Sequence, residues 1–343
     1  MKNAFFDRYQ RRLRSGWRML IYFSLVLALL ASASSIMENL MPTRIIRSLV
    51  GFIVFPVIAL GALWLGGRYL DHRKFKDYGF NLSRGWWLDF IFGIILGTLL
   101  SCLVFFLENA MGWVRIVDYF QNQRDGYIGM PFVIPLIMGF IFYVIVGFHE
   151  EILFRAYPIT NLSEGLNRRN STAKRALIGA YVLSSVVFGL VHSGNPNITY
   201  VGVVNLVLFG LFLGLPYVLL GELAIPIALH ISWNFSQGLI FGFPVSGQHN
   251  DLSIIAIEQG GPQIWTGGGF GSEGGLIGTM ALVVGCVSIL LWLKISQRPR
   301  CLLAKIAEYN PSHLPPEPPQ PIHSPNNDTV HFGLGKQNHY QGL

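Results

Sequence analysis

Charge is what this chain has least of. Asp, Glu, Lys and Arg together make up 13% of its 343 residues, against 52% hydrophobic residues, and mean hydropathy is +0.46. Soluble domains carry about a quarter charged residues, so a water-soluble globule is excluded. Cysteine is scarce as well. Cys102, Cys286 and Cys301 show neither paired nor metal-type spacing, which removes a disulfide framework and a thiolate zinc site. Acidic residues are in deficit, 18 against 25 Lys and Arg, for a net charge of +7. In a membrane protein such an excess gathers in cytoplasmic loops and sets orientation; it does not point to nucleic acid, and none is expected as a partner. What is abundant is apolar sequence in runs of about 20 residues, the length that crosses a bilayer core of about 30 Å. The fold class is therefore all-α, a polytopic transmembrane helical bundle of about eight spans.

Residues 1–18 carry Lys2, Arg8, Arg11, Arg12, Arg14 and Arg18 against Asp7, a cytoplasmic signature. Spans are expected at about 19–37, 48–70, 86–111, 130–149, 176–192, 199–220, 223–243 and 275–295. Basic clusters follow the second (Arg68, Arg73, Lys74, Lys76), the fourth (Arg155, Arg168, Arg169, Lys174, Arg175) and the last (Arg298, Arg300, Lys305). Both termini thus read as cytoplasmic, in the cell membrane; Arg44 and Arg47 run against the rule. Ala31-Ser32-Ala33 is similar to a signal-peptidase site, but a retained first helix suits a multi-span chain better. Gly93, Gly97 and Ser101 recur every four residues, which lets a neighbouring helix approach closely. The segment 112–129 and the glycine-rich segment 244–274 read as external loops. The Pro-rich tail, 298–343, holds too few apolar residues to pack and is expected to be disordered.

Against this background the stretch from His149 to Arg155 stands out. Glu150 and Glu151 end a run, 130–149, that otherwise carries no charge. A charge at the centre of a lipid-spanning helix costs about 2.5–3.5 kcal/mol on insertion scales. On a helix Glu151 and Arg155 are four apart and face each other, so Arg155 can hold Glu151 ionised. Glu150 lies about 100° round and is left to point elsewhere. Two further polar groups sit in apolar spans: Phe188 with His192, and His230 with Asn234, each pair four apart. Taken singly these are an ion pair, a hydrogen-bonded histidine and an interhelical amide worth about 0.6–2 kcal/mol. Together, two carboxylates, two imidazoles and an amide suit the activation of a water. Zinc-protease spacing fails, because His-Glu-x-x-His needs a histidine where Leu153 stands. No Gly-x-Ser-x-Gly elbow or Cys/His pairing is present either.

Glu-Glu-x-x-x-Arg (Glu150, Glu151, Arg155), Phe-x-x-x-His (Phe188, His192) and His-x-x-x-Asn (His230, Asn234) occur in this order on separate helices. The set resembles the CPBP family, which comprises the CAAX prenyl endopeptidases and their bacteriocin-processing or immunity-type (ABI) relatives. The resemblance spans about residues 130–243 and implies a catalytic membrane core over 126–243. On either side lie N-terminal transmembrane helices (19–125), an external loop (244–274), a last span (275–297) and the tail. It further implies hydrolysis of a peptide bond in a membrane-bound peptide or protein, prenylated CAAX-type substrates among them. Glu150 would activate the water and His192 help hold it. His230 and Asn234 would stabilise the oxyanion, and Glu151 and Arg155 would position the others. The family is often described as metalloproteases, with zinc held by Glu and His; Glu150, His192 and His230 are the candidates, and a metal-free mechanism is the rival. A non-catalytic immunity or scaffold protein, or a transporter, stays open, though the repeated halves of a transporter are not seen.

One expectation is geometric. With a short cytoplasmic loop, Glu150 would lie near one boundary and His192 about 25 Å up the next helix. They meet only if the fourth helix runs on, to about Asn161 with a kink at Pro158, and the fifth starts outside the bilayer.

Overall fold

Small residues decide which helices touch. A side chain on Gly93 would run into Ala228 Cβ at 2.7 Å, and one on Gly97 into Leu229 O at 2.7 Å and Ser232 Oγ at 2.1 Å. The glycine face foreseen on the third helix therefore lets it lie directly on the backbone of a later helix. Gly97→Val is expected to force the two apart or strain them, at about 1–3 kcal/mol. A lower melting temperature in detergent would show this, and an unchanged one would mean that the pair can spread freely.

The computed structural model describes residues 5–7, 10, 12–123, 126–168, 171–249 and 251–309. Lys2, Arg8, Arg11, Arg169 and the tail from 310 onward lie outside the described residues. A small hairpin of β1 (Phe6–Asp7) and β2 (Arg12–Leu13) leads into α1 (Ser15–Leu40). Then come α2 (Arg44–Leu65), prolonged by a π turn at Gly66–Asp71, and α3 (Arg84–Ala110). After β3 (Val114–Asn122), α4 (Val133–Glu151) passes through a π turn, Ile152–Ala156, into α5 (Tyr157–Leu166). The helices α6 (Ala173–Val191), α7 (Tyr200–Leu220) and α8 (Ala224–Phe235) follow, α8 continuing as a π turn at Ser236–Ile240. The strand β4 (Leu252–Gln259), the single-turn α9 (Gln263–Thr266) and α10 (Leu276–Ile295) complete the order.

Seven helices among the described residues are long and apolar enough to cross a membrane, with α4 and α5 counting as one of 34 residues. The all-α bundle is as expected, and the chain is an integral membrane protein. The eighth expected span is α8. It has 12 residues, and every residue from Ala224 to Asn234 is buried. A helix apolar all round belongs inside a protein, and α8 packs on α3, α4 and α7 as the axis of the bundle.

Three boundaries differ from the sequence reading. The fourth helix does run on, past Asn161 to Leu166, so the first half of the loop expected over 155–175 is helical. Pro158 is the cause of the irregularity, upstream rather than at the proline itself. It has no N–H for the carbonyl of Phe154 and would clash with it in a regular helix. The chain widens to a π turn there, and the Ser184 hydroxyl of α6 donates to the Phe154 carbonyl instead. The two segments expected to be external loops also carry regular structure. β3 and β4 pair antiparallel, Val114 opposite Gln259 and Asn122 opposite Leu252, with an irregularity between Ile116 and Asp118. Finally, the start of the segment expected to be disordered is docked: Leu303 N–H donates to Val218 O (2.8 Å) and Asn167 Nδ2 to Ala307 O (3.0 Å).

Candidate active site

The extension of α4 moves Glu150 away from a helix end. Glu150 falls at the middle of the continuous helix Val133–Leu166, not at its end. Glu151 and Arg155 sit one turn apart, and Arg155 Nη1 donates to Glu151 Oε1 at 3.0 Å. Both are buried; Arg155 Nη2 also reaches the carbonyl of Gly210 on α7 (3.3 Å), and its guanidinium lies 4.4 Å over the Phe188 ring. Glycine is needed twice nearby. A Cβ on Gly147 would meet Ile231 at 2.8 Å, and one on Gly210 the backbone of Ser185 at 3.0 Å. These contacts bring α4 against α8 and α7 against α6, closing the site from both sides.

From α8, His230 Nδ1 lies 2.7 Å from Glu151 Oε1, and its Nε2 lies 3.9 Å from Glu150 Oε2. The carboxylate of Glu151, already paired with Arg155, accepts the proton on Nδ1. His230 therefore presents Nε2 toward Glu150. Asn234 is buried one turn further along. At the end of α6 the imidazole of His192 is turned the same way: Nδ1 is 2.7 Å from the carbonyl of Phe188, which can only accept. Nδ1 carries the hydrogen, and Nε2 faces outward as an acceptor in the neutral ring. Phe188 is the hub. Its ring centroid is 4.9 Å from that of His192 and 6.4 Å from that of His230. The two imidazoles are thus no further apart than the sum of those distances.

The three sequence motifs accordingly converge in space, and burial separates the acids. Glu151 is inaccessible, whereas the Glu150 side chain keeps 24% of its exposure and is the carboxylate a substrate or water can reach. The zinc expectation fits less well. Glu150 Oε2 and His230 Nε2 could flank an ion, but among the described residues no three His, Cys, Asp or Glu side chains are grouped to hold one. His192 therefore does not complete a ligand set with them, because catalytic zinc takes three protein ligands at about 2.0–2.2 Å.

One buried acid outside the three motifs had no sequence signal. Glu273 is 4% exposed and comes from the segment expected to be an external loop. Its carboxylate accepts from Ser246 N (3.0 Å) and Ser246 Oγ (2.6 Å). Burial, first of all, raises its pKa, with Ser246 and the two histidines opposing. The segment that carries it is knitted to the core. Ser272 Oγ donates to Gln237 Oε1 (3.1 Å), Asn205 Nδ2 to Gly275 O (3.1 Å) and Gly247 N to Phe270 O (2.9 Å). Only hydrogen-bonded placement marks Glu273, and a single acid in a glycine-rich run gives no spacing to read.

A membrane-embedded bundle that gathers two adjacent carboxylates and two oriented imidazoles around its central helix has the make-up of an intramembrane protease. Residues 132–236 match the model of the Rce1-like type II CAAX prenyl endopeptidases, so this segment, about a third of the chain, is similar to the CPBP/CAAX proteases. The matched stretch runs from the start of α4 to the end of α8 and holds Glu150, Glu151, Arg155, His192, His230 and Asn234, but not Glu273. No curated protein and no solved structure gives a match.

Proposed function

We propose that the chain is an endopeptidase that cuts a membrane-associated peptide, of the prenylated CAAX type that the family description names, with a water activated by Glu150. One observation carries the reading. Within the matched segment, the accessible carboxylate of Glu150 faces an imidazole, His230, whose other nitrogen is tied to Glu151 and Arg155. A general base must lie within hydrogen-bond reach of the proton it takes, directly or through one water, and Glu150 Oε2 stands 3.9 Å from His230 Nε2 on the accessible side.

In this reading Glu150 removes a proton from water held also by His192 Nε2, and the hydroxide adds to the scissile carbonyl carbon. His230, carrying a proton on Nε2, and the Asn234 amide donate to the oxyanion, the point where preplaced donors contribute most. Glu150 then returns its proton to the departing amine as the C–N bond breaks. Glu151 and Arg155 touch no reacting atom; Arg155 fixes the Glu151 carboxylate, and Glu151 holds the His230 ring. The cytoplasmic placement of both termini, the cell membrane as location and the lipid bilayer as surroundings belong to the same proposal, on the distribution of Lys and Arg.

The test is Glu150→Gln. It keeps the side-chain shape and removes the base, so cleavage should fall about 10²–10⁴-fold while insertion and folding persist. Peptidomics of membrane fractions from cells carrying the wild type or the variant reads this and reveals the substrate. Peptide patterns that do not differ between the two would overturn the proposal.

A further inference from the structure

Successive spans alternate in direction, so the ends of α1 and α3 and the starts of α2 and α4 fall on one side of the bundle. Arg44 and Arg47, which run against the charge rule, stand on that side, and among the described residues neither takes part in an ion pair. The two-stranded ribbon of β3 and β4 lies there too, and β3 has no strand beyond it among the described residues. The ribbon does not project. It starts at the end of α3, where Trp113 N donates to Glu108 O (2.9 Å). Its far end returns to the start of α4: the Phe120 ring meets that of Phe132 edge-on at 5.4 Å, and Asn122 Nδ2 donates to the Tyr127 carbonyl (3.0 Å). A strand tied to two helix ends lies along the boundary plane. The arginines share this level, since the Tyr127 hydroxyl is 3.2 Å from Ser48 Oγ of α2 and a Cβ on Gly126 would lie 3.6 Å from that of Arg44.

Strand pairing sorts the side chains of β3. Ile116 and Tyr119 lie opposite Ile257 and Ile255, which turn to the bundle and pack with Phe105, Phe241 and Phe243. Arg115, paired with Glu258, and Asp118, opposite Ala256, take the other face. Ile116 and Tyr119 nevertheless stay exposed, Tyr119 at 59%, as do Phe120 at 62% and Ile128 at 71%. The apolar face therefore overhangs the bundle. Phe120 takes a φ of +57°, rare for a bulky residue, so the chain accepts strain to turn this ring toward the helix end. In water an exposed apolar edge strand invites aggregation, whereas aromatic rings are enriched at the head-group level of a bilayer. The patch also continues into Phe106 of α3 and Val133 and Ile137 of α4, exposed apolar residues of membrane-crossing helices.

We propose that the ribbon is an interfacial anchor for phospholipid: Ile116, Tyr119, Phe120 and Ile128 enter the head-group layer on this side, and Arg44 and Arg47 bind lipid phosphates. Continuity with the apolar helix surface and the charge of the two unpaired arginines favour a phospholipid surface over an added peptide strand. The face with Arg115, Glu258 and Asp118 stays in water. The anchor sets a depth. At about 1.5 Å per residue Glu150 lies about 25 Å from Val133 along α4, so the level of the ribbon fixes the level of the accessible carboxylate. Lipid contact is measured without any cleavage, so failure of the anchor and failure of the endopeptidase reading are distinguishable.

The test is photo-crosslinking of the full chain in vesicles of phosphatidylcholine and phosphatidylglycerol. p-Benzoylphenylalanine, which inserts into nearby C–H bonds on irradiation, replaces Tyr119 or Phe120. Asp118 serves as the water-facing position and Ile137, exposed on α4, as the lipid-facing control. Lipid adducts, read by peptide mass spectrometry, should be at least about fivefold more frequent at Tyr119 and Phe120 than at Asp118, and comparable to those at Ile137. Yields as low as at Asp118 overturn the proposal, and so do crosslinks to a second copy of the chain or to another protein in place of lipid. Should the Phe120 variant fail to fold, Tyr119 is read alone by the same criteria. The arginines are read at Ile128, beside Gly126. There phosphatidylglycerol should be enriched about threefold over its share of the vesicle lipid, and Arg44→Gln with Arg47→Gln should return it to that share. Enrichment that survives the double change overturns the role of the arginines.

Discussion

Arg155→Met destabilises the protein by about 3–5 kcal/mol, and the further change Glu151→Gln restores most of that loss without restoring cleavage; this is the result expected from a buried ion pair. Arg155 is 1% exposed and Glu151 0%. Removing the guanidinium leaves the carboxylate with the imidazole of His230 as its remaining bonded partner, since Glu151 Oε2 has no hydrogen bond among the described residues. It also strips the Phe188 ring of its cation and the Gly210 carbonyl of its donor. The double variant removes both charges, and replacing a whole buried pair by groups of similar volume is often neutral or better. Activity should stay lost, because the amide that replaces the Glu151 carboxylate cannot support charge on His230 as an anion does. Unfolding in mixed micelles against a denaturing detergent measures the first quantity and the cleavage assay the second. If the double variant is as unstable as the single one, the pair is not an isolated energetic unit. If it cleaves normally, the positioning role is wrong.

The second large effect lies far from the site. Glu164 of α5 receives Arg12 (2.7 Å), Arg18 (2.8 Å) and Arg73, and all four side chains are at most 7% exposed. Asp71 joins the cluster through Arg18 (2.5 Å), Asn161 Nδ2 (2.8 Å) and the Tyr78 hydroxyl. Burial first, then the charge of Asp71, holds the Tyr78 hydroxyl well above the usual phenol range, so it stays protonated and donates. Arg12 further lies 3.3 Å over the Tyr309 ring. One carboxylate thus ties the N-terminal hairpin, α1, the segment after α2 and the C-terminal strap to α5. Glu164→Ala leaves three guanidiniums around a single acid, and breaking a buried pair costs about 3–5 kcal/mol. The variant should unfold at markedly lower detergent concentration and expose the segment 302–309 to protease. Wild-type resistance in both assays would mean that the arginines are solvated by other means.

Much of this was legible from residues whose signal is local. Run length and hydropathy gave the spans, and four-residue spacing gave Gly93 and Gly97 on α3. The same spacing gave each site pair, since both partners lie on one helix. Convergence was not legible. Whether His192 meets Glu150 depends on where a helix stops, and the π turn that carries α4 into α5 is set by Pro158 together with Ser184, thirty residues from the carbonyl it satisfies. The ribbon was missed for a different reason. The runs around Val114–Asn122 and Leu252–Gln259 are rich in β-branched and aromatic residues, but they pair across more than a hundred residues of helix, so no short turn joins them. Asp71 and Glu164 belong to no motif and carry no spacing to read, and only their burial identifies them as a joint.

The helix at the centre of the bundle also has a bearing on how the protein is made. With 12 residues, α8 is too short to cross a bilayer of about 30 Å unaided. Domains emerge from the ribosome N-terminal end first, so α8, which carries His230 and Asn234, depends on α3, α4 and α7 being already in place to receive it. Glu273 and the helix after it arrive later still. Glu150 is thus in the membrane well before His230 and Asn234, the groups that the proposal pairs with it. On the endopeptidase reading, the order of synthesis alone keeps a half-built site from cutting.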